Sequence, residues 1–391
     1  MCRVRRSLCA LRSATQPAAE PKARWPFADP DRLAHPELAA GGRLRFRATA
    51  TAVVVGIVLF ADAVVVARTS RYGFLRQIAA QPVASAPQPG PPCPLSGLPS
   101  PTGVVPHRPA LAIKVDNYPA ARPQTGLDHA DLVFEEPIEG GVTRFVAVFQ
   151  CAAADLVGSL RSARAVDESI IDELGAPVFL HVGGIEPVLT LIHRADPCDE
   201  DLVAGGNDVQ SPPGRYAPYD TYVSTASGWS LCHGDTTPPP ALFAYSATPP
   251  TGVPVKSIHI PFSHSSDSTW TWDAANRHWL LSYNGVPARL ANGSQISAVN
   301  VVVQQVRVSY GPWIENSRGD REVQSQLTGS GPLLVFRDGV EASGTWQRAS
   351  LREPTRLTGK DGSVIALQPG QTWIAIVPAE VVVTAAAVPG P

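Results

Sequence analysis

Apolar and polar positions change their period along this chain, and each change marks a different kind of segment. Residues Ala48 to Ala67 read ATATAVVVGIVLFADAVVVA, twenty residues with Asp62 as the one charge. Twenty helical residues extend about 30 Å, the thickness of a hydrocarbon core. Arg43, Arg45 and Arg47 precede the run, and Arg68, Arg71 and Arg76 follow it. A core helix or strand would not carry such flanks, so the pattern predicts a single transmembrane helix over 48–67. The long basic arm over 1–47 places the N-terminus in the cytoplasm and the rest of the chain outside. The run lacks a small-x-small cleavage site, which favours an uncleaved anchor over a signal peptide. Asp62 costs a few kcal/mol at most near an interface.

Residues 68–109 are rich in Pro, Gly, Ser and Ala, the composition of a semi-rigid tether. From Ala110 short β-type runs appear: AIKVDN, DLVFEE, TRFVAVFQ and PVFLHV. Between the last two, SARAVDESIIDEL puts Val166, Ile170, Ile171 and Leu174 on one helical face. EPVLTLIHRA then opens a second helix with Pro187 in the tolerated first turn. Strands alternating with helices predict an α/β N-terminal ectodomain over 110–245, although 196–250 reads as mostly irregular. From Thr251 the texture is β throughout, with Asp338-Gly339 and Asp361-Gly362 as hairpin-type turns. This predicts a mainly-β C-terminal domain over 251–378 and a frayed tail over 379–391.

Charge sharpens the layout. The formal net charge of −2 over 391 residues hides an uneven split: residues 1–47 hold ten basic and four acidic residues, the remainder 22 and 30. A nucleic-acid binder keeps its positive excess on the folded part, so that class is excluded. Hydrophobic residues at 44% and charged residues at 17% exclude disorder throughout. Cys2 and Cys9 fall on the cytoplasmic side, and Cys93, Cys151, Cys198 and Cys232 on the oxidising side. Four cysteines allow three pairings. Because Cys198 and Cys232 bracket a loop-rich stretch, the favoured set is Cys198–Cys232 with Cys93–Cys151. No C-x-x-C or H-E-x-x-H spacing is present, so neither a metal nor a cofactor is indicated.

The most informative chemistry lies in Gly158-Ser-Leu-Arg-Ser-Ala-Arg164. Cations at a helix start oppose the macrodipole, and an anionic ligand would compensate Arg161 and Arg164, with the Ser162 hydroxyl joining them. Internal pairing is the competing account, through Glu168, Glu135, Glu136 or Glu139. A second cluster sits at strand ends: Asp116-Asn117, Glu135-Glu136 and Glu139-Gly-Gly141, the last leading into Thr143 and Arg144. Arg122 and Gln124 follow the first of these. Carboxylates so placed suit general acid–base work, with Asp116, Glu135 and Glu139 as candidates. His181 ends a strand beside a Gly-rich turn and is either a further catalytic candidate or structural. Trp270, Trp272, Trp279 and Trp313 form either a sugar-stacking platform or core packing. No G-x-S-x-G elbow or P-loop is present.

Taken in order, these stretches resemble the YerB-like family of bacterial envelope lipoproteins. The matching pieces are CPLSGLP (Cys93 to Pro99), AIKVDN with ARPQTGL (Ala110 to Leu127), EGGVTRF, GSLRSAR, HVGG, APYDTY, NVVVQQV and the run from GSGPLLVFRDG to PGQTWIAIVP. The resemblance implies two successive domains meeting near residue 240 and supplies no activity. The chain departs from the family pattern in three places. Cys93 lies in GPPC rather than a lipobox, Tyr219-Asp220 stands where a His-Asn pair is expected, and Ile185 replaces a Ser after the Gly pair.

These readings leave three hypotheses. The first is a membrane-anchored envelope protein binding an anionic or glycan-type wall component through Arg144, Arg161, Ser162 and Arg164. Asp116, Asn117, Arg122, Gln124, Glu139 and Thr143 would complete that cleft. The second is a hydrolase or transferase using its carboxylates. The third is a scaffold for another envelope protein.

Overall fold

The computed structural model describes residues 90–388 apart from 196, 197, 207, 208, 233 and 235. The basic arm over 1–47, the span over 48–67 and the tether up to residue 89 lie outside the described residues. Among the described residues, no helix is long and apolar enough to cross a membrane.

The first half of the described chain builds β1 (Leu111–Asp116), β2 (Leu132–Pro137), β3 (Thr143–Phe149), β4 (Val157–Gly158), α1 (Val166–Asp172), β5 (Val178–His181), α2 (Glu186–Ala195), β6 (Asp199–Asp201), β7 (Val209–Gln210), β8 (Tyr222–Val223) and α3 (Thr225–Ser230). The second half builds β9 (Val253–Ser263), β10 (Ser266–Asp273), β11 (His278–Tyr283), β12 (Val286–Pro287), β13 (Ser297–Ala298), β14 (Asn300–Val306), β15 (Val308–Ile314), β16 (Arg321–Ser325), β17 (Gly329–Arg337), β18 (Val340–Arg348), β19 (Arg356–Gly359), β20 (Thr372–Pro378) and β21 (Thr384–Ala387). The described fold is mainly β. The α/β expectation for residues 110–245 is therefore corrected: its helices are short, and Gly175 with Ala176-Pro177 stops the first after two turns. One β–α–β unit, β5–α2–β6, does run parallel, its last strand lying in the stretch read as irregular.

The two halves share one sheet, ordered β12-β11-β10-β9-β18-β17-β14-β20-β2-β3-β1-β5-β6. Strand β20, near the C-terminal end, pairs parallel with both β14 and β2. Its sequence TWIAIVP is apolar at nearly every position because both of its faces are buried. A flat sheet would hold β10 and β20 about 24 Å apart, five spacings of roughly 4.8 Å. Instead the Trp270 ring on β10 lies 5.2 Å from the Trp373 ring on β20. The sheet therefore curls over, and one apolar cluster fills its inside.

Alternation along the strands decides which residues share a face. Leu111, Ile113 and Val115 of β1 join Val133 of β2 and Phe145, Ala147 and Phe149 of β3 in the inner cluster, with Trp270, Trp279 and Trp373. Ala112, Leu132, Phe134, Val146 and Val148 face the other way, where Val166, Ile170, Ile171 and Leu174 cover them. The tryptophans at 270 and 279 are fully buried core residues, so they form no sugar platform.

Two further segments differ from the sequence reading. Part of the stretch read as tether is folded: Cys93 and Leu95 are buried, and Gly97 adopts φ +65° directly beneath the Tyr245 ring. A Cβ at Gly97 would come within 2.3 Å of that ring, which explains the glycine. The stretch assigned to a tail contains β21, which pairs antiparallel with β9, so its Ala/Val run extends a sheet edge. Both favoured disulfides are present, Cys93–Cys151 and Cys198–Cys232.

Candidate functional site

Strands β1 and β5 run parallel over Leu111 to Ile113 and then part. The Gly158–Arg164 segment fills the gap between their carboxyl ends. Its Leu160 bridges Val115, the Arg161 N–H donates to the Lys114 carbonyl at 2.9 Å, and the Ala163 N–H to the Gly183 carbonyl at 3.0 Å. Divergence of parallel strands at their carboxyl ends is where open sheets form ligand crevices.

A cleft of about 500 Å³ opens there, lined by Asp116, Tyr118, Glu139, Arg144, Arg161, Ser162, Arg164, Tyr219, Glu315, Asn316 and Arg318 among others. Six of these were singled out from sequence. Asp116 and Arg144 face each other in the β1–β3 register. The loop between β15 and β16 supplies Glu315, Asn316 and Arg318 from the far end of the chain.

The arginines are not equivalent. Arg164 is saturated: Nε donates to Glu139 Oε2 at 2.8 Å, Nη2 donates to Glu139 Oε1, and Nη1 donates to the Ala163 carbonyl at 2.8 Å. Its Nη1 also lies 3.4 Å from Glu315 Oε2. The internal-pairing account therefore holds for Arg164, with the expected Glu139 joined by Glu315, and without Glu168, Glu135 or Glu136. Asp167 and Glu168 in the first turn of α1 complement its macrodipole, and the Asp167 carboxylate also accepts the Arg164 backbone N–H just before the helix at 2.7 Å.

Arg144 and Arg161 are less well supplied. Arg144 donates from Nη1 to the Ser162 carbonyl at 2.8 Å, but its buried Nε has no hydrogen-bond partner and lies 3.8 Å from Asp116 Oδ1. Arg161, partly exposed, donates one bond from Nε to Asp116 Oδ2 at 3.1 Å. Burial, then the charges of Arg164 and Arg161, push the Arg144 guanidinium down to about 10 against the pull of Asp116 and Glu139. Burial of Glu139 disfavours its charge, yet bonds and charge from Arg164, then Arg144, outweigh that and hold its carboxyl below the usual range. Glu315 is pushed up, chiefly by burial, with Arg164 opposing.

Beneath the cleft, on the same face, Lys114 Nζ bonds Glu136 Oε1 and, at 2.7 Å, Asp167 Oδ1, with all three side chains fully buried. Burial, then the Asp167 charge, push the Glu136 carboxyl up to about 7 despite Lys114.

Five sequence candidates lie on the inner face and do not line the cleft. Glu135 accepts from Thr143 Oγ1 at 2.8 Å, Tyr283 Oη at 3.2 Å and Trp373 Nε1 at 2.9 Å. Asn117 donates to Thr143 Oγ1 at 2.7 Å and accepts from Arg122 Nε and Gln124 Nε2, both at 3.0 Å. The Arg122 guanidinium stacks 4.0 Å over the Tyr283 ring. Glu135 and Glu136 are sequence neighbours, so the pleat sends them to opposite faces. His181 is buried at the end of β5, its Nε2 2.9 Å from Asp199 Oδ1 and its Nδ1 3.0 Å from the Gly183 carbonyl. Burial lowers the His181 pKa, but Asp199 and then Asp201 outweigh it, and the imidazole is held above its ordinary value. His181 does not line the cleft.

Sequence reasoning missed Tyr118, Tyr219, Glu315, Asn316 and Arg318. Tyr118 follows the Asp116-Asn117 pair and Tyr219 lies within APYDTY, so both sat beside noted features. Glu315 carries no local signal, because only the long-range fold brings the β15–β16 loop here. Among the described residues, no group of three or more His, Cys, Asp or Glu is arranged to hold a metal ion.

With this geometry in place, comparison with known families is decisive. Residues 95–234 match the N-terminal domain, and 258–374 the C-terminal domain, of a protein family of unknown function, DUF3048. The chain belongs to this family. It is similar to the protein named "Putative lipoprotein YerB" from Bacillus subtilis (strain 168), 28% identical over 301 residues that cover 73% of this chain and 86% of the relative. The crystal structure of YerB from Bacillus subtilis shares the fold at a TM-score of 0.63 and 23% identity, covering 75% of this chain and 99% of that one.

Proposed function

We propose that this chain is a membrane-anchored, extracytoplasmic protein of the bacterial cell envelope that binds an anionic wall component in the cleft between Arg144 and Arg161. One observation carries the reading. A buried guanidinium, Arg144, keeps an unpartnered Nε in an open cleft beside a second, half-satisfied guanidinium. Buried donors are ordinarily satisfied, and a phosphate or carboxylate is the acceptor these two forks suit. A relative named as a lipoprotein supports the envelope setting, and two disulfides fit an oxidising compartment. The Arg-flanked span over 48–67 supplies an anchor where the lipobox is missing. Binding is favoured over turnover because Asp116 and Glu139 already serve arginines.

Titration of the full-length chain in detergent with inorganic phosphate tests the site. Arg144→Gln and Arg161→Gln are each expected to weaken binding by about tenfold or more, the scale of one charge-assisted hydrogen bond. Unchanged affinity in both variants would remove the reading. The anchor is tested separately: alkaline carbonate is expected to leave the chain in the membrane pellet, and its release would contradict a span at 48–67.

A further inference from the structure

We propose that the ligand held by Arg144 and Arg161 is a phosphorylated sugar unit, whose hydroxyls are read by Glu315 and whose ring lies against Tyr118 and Tyr219. The inference rests on the anion-binding reading and narrows it. The Glu315 side chain lines the cleft fully buried, and neither carboxylate oxygen has a hydrogen-bond partner, although Arg164 Nη1 stands 3.4 Å away. A carboxylate in that position repels a bare anion and calls for O–H or N–H donors. The cleft is thus bipolar, with guanidinium donors on the strand side and an unsatisfied acceptor on the β15–β16 side. Inorganic phosphate answers the first need only. A sugar phosphate answers both, through its phosphate oxygens and its hydroxyls.

The aromatic wall points the same way. The Tyr118 and Tyr219 rings both line the cleft, 5° from parallel with centroids 6.5 Å apart, and Tyr118 is 45% exposed. The Arg161 guanidinium lies 5.7 Å from the Tyr219 ring centroid. A phosphate bound at Arg161 therefore brings whatever it is esterified to within reach of these rings. The C–H face of a pyranose packs on such a surface as apolar area.

The test compares inorganic phosphate, a hexose 1-phosphate, the neutral hexose and phenyl phosphate on the full-length chain in detergent. The hexose 1-phosphate is expected to bind at least about tenfold tighter than inorganic phosphate, with the neutral hexose weakest. Glu315→Gln, which keeps the side-chain shape, is expected to cut that advantage to about threefold or less while leaving phosphate binding equal or tighter. Tyr118→Ala is expected to reduce the same advantage without affecting phosphate. Equal binding of phosphate and hexose 1-phosphate overturns the proposal, as does tighter binding of phenyl phosphate. Failure of every phosphate probe overturns the anion-binding reading beneath it.

Discussion

Trp373→Ala is expected to cost more than about 5 kcal/mol, a larger loss than any substitution in the cleft, and to leave little folded protein. Trp373 is fully buried, with its ring centroid 5.0 Å from Phe145 and 5.2 Å from Trp270 in edge-on geometry. These contacts join β3, β10 and β20, so the ring ties distant strands of the curled sheet together. Truncating a buried Trp to Ala ordinarily costs about 3–5 kcal/mol. A second loss adds to it, because the Trp373 Nε1 donates to Glu135 Oε2 at 2.9 Å inside the core. Stripping a donor from a buried carboxyl costs roughly 1–3 kcal/mol more. The total approaches the whole stability of an ordinary domain, about 5–15 kcal/mol. Trp373→Phe keeps a six-membered ring but removes the donor and the pyrrole part of the indole, so its loss is expected to lie between the second figure and that of Trp373→Ala. Guanidinium denaturation of both variants measures the difference. A Trp373→Ala loss below about 2 kcal/mol would contradict the account.

The same residue shows why part of the site was legible in the sequence and part was not. Asp116, Glu139, Arg144, Arg161, Ser162 and Arg164 come from three strand ends and the adjoining loop, and local signals picked out residues that line one cleft. The face each side chain occupies was also encoded, through alternation. In β1, β2 and β3 the inner set includes Val115, Glu135 and Phe145, while Lys114, Asp116, Glu136 and Arg144 fall on the cleft side. Reading Thr143 and Glu135, and Asn117 just past β1, into the cleft ignored that period, while Arg122 and Gln124 follow Asn117 through its hydrogen bonds. Nothing local could have shown that β20 enters between β14 and β2, because parallel neighbours leave no sequence-adjacent turn. That insertion brings Trp373 to Glu135, while the β15–β16 loop carries Glu315 to Arg164. The Arg164 pairing with Glu139 was legible in the sequence, whereas its contact with Glu315 was not, for the same reason.

The charges fall into two layers with different consequences. At the cleft surface Arg144, Arg161 and Arg164 face Asp116, Glu139 and Glu315, while Arg318 pairs with Asp320 at 3.0 Å, so what favours an incoming anion is the unpartnered Arg144 Nε rather than the charge count. One layer deeper, a single Lys114 serves two carboxylates, and the imbalance is acidic. Arg144 sits over that deeper layer and is one of the charges that lower the Glu136 pKa. Neutralising Arg144 therefore removes a ligand donor and also deprives Glu136 of support. This is why Arg161→Gln, at the more exposed position, is the cleaner of the two binding variants.

Lys114→Met is expected to destabilise the protein by about 3–5 kcal/mol near pH 8, the cost of breaking a buried ion pair by removing one partner. Lys114, Glu136 and Asp167 are each fully buried, so no solvent screens the two carboxylates once the ammonium is gone. Protonation offers an escape, and Glu136 is the group that takes it. Its pKa is already raised from 4.5 to about 7 by burial and by Asp167. A carboxyl whose folded pKa exceeds its unfolded value binds the proton more tightly when folded. The stability it confers is complete below about pH 4.5 and is lost as pH rises through about 7. At 1.36 kcal/mol per pH unit, that window corresponds to about 3 kcal/mol. Glu136→Gln removes the proton linkage while leaving Lys114 paired with Asp167. The variant is therefore expected to gain on the wild type between about pH 5 and about pH 8, and Lys114→Met to lose most at the upper end. Thermal denaturation midpoints of the three proteins across that range provide the measurement. If the wild type and Glu136→Gln kept a constant difference in midpoint, Glu136 would not titrate within the fold. A Lys114→Met loss that was the same at both pH values would lead to the same conclusion.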